Sequence, residues 1–439
     1  MYYNSINNKL NIKNFINIFL KNIPKDKSLY FPFIIKKFNK IYINSLKKLN
    51  YLNFSFNIIN KFINCISEEE IFLLLKNSYN KFYDKNIINF YNLENNSYLL
   101  NLNNGPTLTF KDIALQPLGI FLNFISKIIN KKIIIFCATS GDTGSSAINS
   151  FKNYENIKLI IFHPFNMISN IQRKQMTTII RKNIFNISIL GNFDFTQYII
   201  KNIFENIKKH KNYLFISVNS INWFRIILQT VYYCYSSLKL YTNKLINYYI
   251  PSGNFGNATS AFIAKKLGFP IGKIIVCNND NNYLDNFFKK SLLLNKKLKS
   301  TISPAIDISI PSNFKRIFNK KKIKKKYINF YNNFFYSDTI LNKTIINSIE
   351  YFFNIYKKIY DPHTITSITS FFNNNINNNN NIKFIVSTSY PIKFFYSIKK
   401  IIPNIKINLN IKNIFLLKEK YKIFNQNFKI IINYIKKII

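Results

Sequence analysis

Glycine placement constrains this chain more than any other feature. Only nine glycines occur in 439 residues, and all nine fall between Gly105 and Gly272. Five of them sit in three short motifs: Gly105, Gly141 with Gly144, and Gly253 with Gly256. Glycine is required where the backbone takes a positive φ or passes close to another group. A chain that keeps it in so few places concentrates its tight turns, and its chemistry, in the middle third. The scarcity has a compositional origin. Ile, Asn, Lys, Phe and Tyr dominate, and their codons are AT-rich. Gly, Pro and Arg have GC-rich codons and are rare. An AT-rich genome strips out glycine, so the positions that keep it are informative.

The same bias explains the charge. Lys and Arg total 62 against 18 acids, a net charge of +44. Only four of the 62 are arginines: Arg173, Arg181, Arg225 and Arg316. A protein that reads bases or phosphates favours the bidentate fork of Arg. The lysines therefore read as a solvated surface, including the dense run Lys315 to Lys326, and no specific nucleic-acid partner is expected. A hydrophobic content of 47% excludes a wholly disordered chain. No apolar run approaches the ~18 residues of a membrane span. No Ala-x-Ala cleavage site follows an apolar N-terminal core. A cytoplasmic location without a membrane partner is the expectation. Cys65, Cys137, Cys234 and Cys277 form no CxxC pair. His163, His210 and His363 show no metal-ligand spacing, so neither a disulfide scaffold nor a metal is expected.

Along the chain, residues 1–92 read as a helical region. Ile58, Phe62, Ile66, Ile71 and Leu74 recur at helical spacing. Ser67, followed by Glu68, Glu69 and Glu70, reads as a helix start. Residues 93–240 and 241–439 read as two α/β domains. Lys132–Cys137, Ile157–Phe162, Tyr248–Ile250, Lys273–Cys277 and Phe384–Ser387 are short apolar runs of strand type, the second ended by His163-Pro164. Strands alternating with helices argue for largely parallel sheets, with ligands at the strands' carboxyl ends, where the glycine loops fall. The Asn-rich stretch Asn373–Asn381 reads as a surface loop.

Three loops are candidates for chemistry. Ser252-Gly-Asn-Phe-Gly256 lies between a strand and a helix, where backbone N–H groups and the helix dipole can hold a phosphate. Thr139-Ser-Gly-Asp-Thr-Gly144 has the same setting. Its Asp142 repels anions, so it addresses a hydroxyl or a cation; alternatively Ser140, Asp142 or Thr143 caps the next helix. Gly105-Pro-Thr-Leu-Thr-Phe-Lys-Asp112 places Lys111 beside Phe110. A lysine in apolar surroundings has a lowered pKa and can form a Schiff base. By composition alone, any given lysine here is a surface lysine.

Taken in order, these loops resemble those of the threonine synthase family, pyridoxal-phosphate-dependent enzymes of fold type II. The resemblance extends to Tyr30-Phe-Pro32, Ser169-Asn-Ile-Gln172 with Gln175-Met-Thr-Thr178, and Asn219-Ser-Ile-Asn222 with Arg225 and Gln229. It continues through Ser303-Pro-Ala-Ile-Asp-Ile-Ser309, Ser312-Asn-Phe314, Asp361-Pro-His-Thr364 and Thr388-Ser-Tyr-Pro-Ile-Lys-Phe394. It implies an α/β fold of two domains behind a helical N-terminal region. It implies that Lys111 carries pyridoxal phosphate as a Schiff base and shuttles protons. Gly253, Asn254, Phe255, Gly256 and Asn257 would cup the cofactor phosphate, Thr388 would meet the pyridine nitrogen, and Asp142 would lie near the phenolic oxygen. Ser140, Thr143, Asn219, Ser220, Asn222 and Arg225 would contact the substrate, O-phosphohomoserine. A threonine or serine dehydratase is the alternative; those enzymes carry Ser-x-Lys where this chain has Thr-Phe-Lys. The chain departs from the family at Asn166 and Met167, where Gly and a basic residue are usual. It also departs at Asn104 and Tyr390, where His is common.

Overall fold

The expected strands are present because their residues are apolar on both faces, the signature of parallel strands covered on two sides. In a computed structural model, residues 1–439 are described except 95, 207–211, 241–242, 295–296, 319–330, 374–379 and 406–411. His210, most of the Lys315–Lys326 run and most of Asn373–Asn381 lie outside the described residues. The chain begins with β1 (Tyr3–Ser5), α1 (Phe15–Lys21), β2 (Tyr30–Pro32), α2 (Lys40–Ser45), α3 (Tyr51–Asn60) and α4 (Glu68–Tyr79). There follow β3 (Asn89–Glu94), β4 (Ser97–Asn101), α5 (Asp112–Ile128), β5 (Lys132–Ala138), α6 (Asp142–Phe151) and β6 (Ile157–Pro164). Next come α7 (Asn170–Thr177), β7 (Ile184–Ile189), α8 (Phe193–Asn206), β8 (Tyr213–Ser217), α9 (Trp223–Lys239), β9 (Ile246–Pro251) and α10 (Gly256–Lys266). β10 (Ile271–Asn278), β11 (Phe335–Thr339), β12 (Ile382–Ser387) and β13 (Lys422–Phe424) complete the strands.

Two sheets carry the architecture, with strand orders β11-β10-β9-β12-β4-β3 and β13-β7-β6-β5-β8. Every pairing in them is parallel except β3 with β4. This is the α/β fold with largely parallel sheets that the sequence implies. Successive side chains of a strand face opposite ways, and each strand divides its residues between two cores. Ile133, Ile135 and Cys137 of β5 join the large central core, whereas Ile134, Phe136 and Ala138 join the outer one under α8. Likewise Phe384 and Val386 of β12 face the centre, and Ile385 faces the outer helix Pro362–Asn373. The N-terminal helices and α5, α9 and α10 fill the central core.

Two local expectations change. The apolar series from Ile58 to Leu74 spans two helices, because α3 ends at Asn60 and α4 starts at Glu68. Ser67 does start a helix: its hydroxyl accepts from the Glu70 N–H, and the Glu70 carboxylate accepts from the Ser67 N–H, both at 3.2 Å. β6 continues through His163-Pro164, which pair with Ser188 and Ile189 of β7. The sheets also join segments from either side of residue 240. β4 pairs with β12, and β13 pairs with β7, beside which the helix Phe428–Ile438 packs. A parallel pair needs only a long enough crossover, so a strand can join a sheet distant in sequence. Among the described residues, no helix is long and apolar enough to cross a membrane, and no cluster of His, Cys, Asp and Glu suits a metal.

Candidate active site

A pocket opens where α6 leaves β5 and α10 leaves β9, at the carboxyl ends of both strands. Lys111 enters it from the first residue before α5. A closed circuit holds the lysine loop. The buried Asp112 carboxylate accepts the Thr107 N–H (2.8 Å), the Thr107 hydroxyl (2.7 Å) and the Ser146 hydroxyl (2.6 Å). The Phe110 N–H and the Thr109 hydroxyl both donate to the Thr388 carbonyl, at 2.9 and 3.2 Å, so the loop is tied to the end of β12. The Lys111 ammonium sits 4.8 Å from the Phe110 ring centroid and 3.2 Å from Asp142 Oδ2. Burial lowers its pKa; Asp142 opposes that shift, and the Lys393 and Arg225 cations add to it.

Asp142, on the first turn of α6, is the electrostatic hub. Oδ1 accepts from Lys393 Nζ (2.9 Å) and Gln172 Nε2 (2.8 Å). Oδ2 accepts from Lys111, the Ser389 hydroxyl (2.6 Å) and the Thr109 hydroxyl (3.1 Å). Burial alone would raise this carboxyl. The two lysines and Ser389 overcome burial and hold it well below the usual carboxylate range. Gly141 takes φ +126°, and a Cβ there would lie 2.5 Å from Cδ of Gln172, so glycine lets that amide reach Asp142. The capping alternative resolves differently from the expectation. Ser140, Asp142 and Thr143 do not cap α6; the Thr139 hydroxyl does, accepting the N–H groups of Gly141 and Gly144 at 2.9 Å each.

The start of α10 is different in kind. Phe255 adopts a left-handed conformation, φ +59°, and Gly253 passes so close to Ala305 that a Cβ would sit 2.4 Å from its carbonyl oxygen. The Ser312 hydroxyl donates to Asn254 Oδ1 at 2.9 Å, and the Asn313 N–H donates to the Asn254 carbonyl at 3.1 Å. Among the described residues, no acceptor takes the N–H groups of Gly253, Asn254, Phe255, Gly256 or Asn257. Asn257 Oδ1 accepts from the hydroxyls of Tyr232 and Tyr233. Its Nδ2, the Ser252 hydroxyl and Arg225 Nε are buried without partners, and all three residues line the pocket. Buried polar atoms are rarely left unpaired, and a helix N-terminus favours an anion. The loop therefore has the donors for a phosphate. Arg225 also donates from Nη1 to the Val218 carbonyl at 2.8 Å. Burial pushes its pKa down to about 10, so it stays charged at neutral pH.

Lys111, Asp142, the cup residues, Thr388, Ser140, Thr143, Asn219, Ser220 and Arg225 all line this one pocket. Asn222 does not. It is fully buried, and its side chain caps α9 through the Phe224 N–H (2.9 Å) and donates to the Ser217 carbonyl. Residues quoted within the family motifs but given no site role also belong here: Lys393, Gln172 and Ser389 around Asp142, and His363. Nε2 of His363 accepts the Ala305 N–H at 3.0 Å, and its other nitrogen pairs with Asp361 at 2.8 Å, which pins the 303–309 segment against the cup. The family departures lie elsewhere. Met167 is exposed, and neither it nor Asn166 lines the pocket. Asn104 and Tyr390 share a separate surface depression with Tyr83 and Asn86.

Known proteins resemble this chain in sequence and in fold. Residues 2–79 match the model of the threonine synthase N terminus. The chain is 35% identical over 319 residues to threonine synthase of Pseudomonas aeruginosa, covering 72% of this chain and 68% of that protein. It is 31% identical over 392 residues to threonine synthase of Buchnera aphidicola from Acyrthosiphon pisum, covering 88% and 87%. The pyridoxal-phosphate-bound threonine synthase from Brucella melitensis matches over 100% of this chain, with a TM-score of 0.91 at 25% identity. The yeast threonine synthase structure gives 0.90 at 27%, again over the whole chain. With this identity sustained over most of its length, and the pocket assembled from the motif residues, the chain belongs to the threonine synthase family.

Proposed function

We propose that this chain converts O-phospho-L-homoserine and water to L-threonine and phosphate with pyridoxal 5'-phosphate, as a cytoplasmic activity at the last step of threonine biosynthesis. One observation carries the reading: a partly buried lysine and an open helix N-terminus face a single pocket. The residues fit the cofactor. The N–H groups of residues 253–257, with the orphaned Ser252 hydroxyl and Asn257 amide, would take its phosphate. Thr388 would meet the pyridine nitrogen with a neutral hydroxyl, and Asp142 would lie beside the phenolic oxygen. Bound there, the cofactor supplies an electron sink for charge developing at the substrate Cα.

The chain's own residues do the rest. Lys111 Nζ takes the proton from Cα and serves the second deprotonation, at Cβ, that expels the γ-phosphate. A proton returned at Cγ and water added at Cβ complete threonine. Arg225, charged and lacking a carboxylate partner, meets the substrate phosphate. Ser140 and Thr143 offer hydroxyls to the carboxylate, and Asn219 and Ser220 line the same pocket. Asn222 supports Arg225 by capping α9. The lysine-rich surface adds a positive field that draws in an anionic substrate. Incubation with O-phosphohomoserine should release phosphate and threonine in equal amounts. Ammonia and a 2-oxo acid formed from L-threonine or L-serine, with no phosphate released from O-phosphohomoserine, would move the reading to a dehydratase.

A further inference from the structure

Lys393 lies in the 3-10 turn Pro391–Phe394 after β12, and its side chain is 0% exposed. Its Nζ is 2.9 Å from Asp142 Oδ1, while Lys111 Nζ is 3.2 Å from Oδ2. Two lysine nitrogens thus share one carboxylate. Counting charge shows what this does. With Asp142 and Lys393 ionised, the pair is already neutral. The other charged group facing Lys111 is Arg225, a further cation. Asp112 is a second carboxylate, facing Lys393, and it offsets Arg225 in the count; the groups on its oxygens, Thr107, Ser146 and Gln116, are neutral donors. A proton on Lys111 would add a partly buried charge with no counter-ion left over, which is costly. The balanced state is the one with Lys111 as a free amine, the form that attacks an aldehyde or removes a proton.

The geometry points to Lys393 as a positioning residue that satisfies the charge of Asp142 so that Lys111 remains the free base. Without it, Asp142 takes Lys111 as its sole counter-ion and keeps the proton there. The assignment rests on Lys111 being the cofactor lysine, yet its test needs no cofactor.

The full-length chain, freed of cofactor, is trace-acetylated with acetic anhydride between about pH 6 and about pH 10, and the Lys111 peptide is quantified by mass spectrometry. In Lys393→Met the titration midpoint of Lys111 should move up, with its acetylation rate at about pH 8 falling roughly tenfold. Lys393→Arg should restore the wild-type midpoint, and Lys393→Met combined with Asp142→Asn should return most of it. A folded Lys393→Met protein whose Lys111 keeps the wild-type midpoint overturns the proposal. If Lys393→Met does not fold, Asp142→Asn alone decides, because it leaves Lys393 unbalanced beside Lys111. The midpoint must then fall, and an unchanged or raised midpoint overturns the proposal. Absence of threonine formation together with these shifts would remove the functional reading and leave the Lys393 assignment standing.

Discussion

The starts of α6 and α10 have the same construction and opposite contents. Each follows the carboxyl end of a buried parallel strand, turns on a glycine-containing loop and points its positive end into one pocket. At α6 the chain supplies its own partners: Thr139 takes the N–H groups, and Asp142 brings a carboxylate already held by two lysines. At α10 the N–H groups have no acceptor among the described residues, and a hydroxyl, an amide and a guanidinium nitrogen beside them are unpartnered. A helix N-terminus carries roughly half a positive charge, which a nearby anion satisfies. Where the chain provides it, the end organises neighbouring groups; where the chain does not, the end is a seat for an external anion.

The largest effect belongs to the group between the two ends. Lys111→Ala should lower turnover by at least about a thousandfold and abolish the absorption band of the bound cofactor. Measuring both separates loss of chemistry from loss of binding. Next is the open end. Inorganic phosphate should raise the melting temperature of the cofactor-free chain, corresponding to about 2.7 kcal/mol at a hundred times its Kd. Gly253→Ala, whose Cβ would meet the Ala305 carbonyl at 2.4 Å, should remove most of that gain. Equal stabilisation of both proteins would break the comparison.

The filled end predicts a pH dependence. The folded Asp142 carboxyl titrates below its ordinary value of 3.8. Its contribution to stability is therefore complete above that value and is lost as pH falls through the folded pKa. Asp142→Asn should flatten the acid side of the stability curve, measured by urea unfolding at successive pH values. The smallest effect is at α4, an ordinary capped end outside the pocket. Ser67→Ala should cost about 1 kcal/mol and leave turnover unchanged, which a melting curve and an assay check together.

Much of this arrangement was legible in the sequence, for physical reasons. Buried parallel strands read as apolar runs, so β5, β6, β9, β10 and β12 are visible as Lys132–Cys137 and its counterparts. Glycine scarcity pointed to both loops, and Gly141 and Gly253 are places where a Cβ would collide. The pairings of β4 and β13 were hidden, because a strand's own residues do not name the sheet that it joins. Lys393 and Gln172 lie in visible motifs, but their contact with Asp142 was hidden for a related reason. Nothing in a spacing of 251 residues says that a lysine will meet Asp142 at 2.9 Å. Asn222 shows the converse: it shares a motif with Asn219, yet the first turn of α9 turns its side chain to capping instead of the pocket.

Reduction with borohydride after incubation with pyridoxal phosphate, followed by peptide mapping, tests the central claim most directly. The chain has 62 basic residues, of which four are arginines, leaving 58 lysines as possible points of attachment. The account predicts that the reduced pyridoxyl group is found on Lys111 and is lost in Lys111→Ala. A label spread over surface lysines, or fixed on another single lysine, would contradict it.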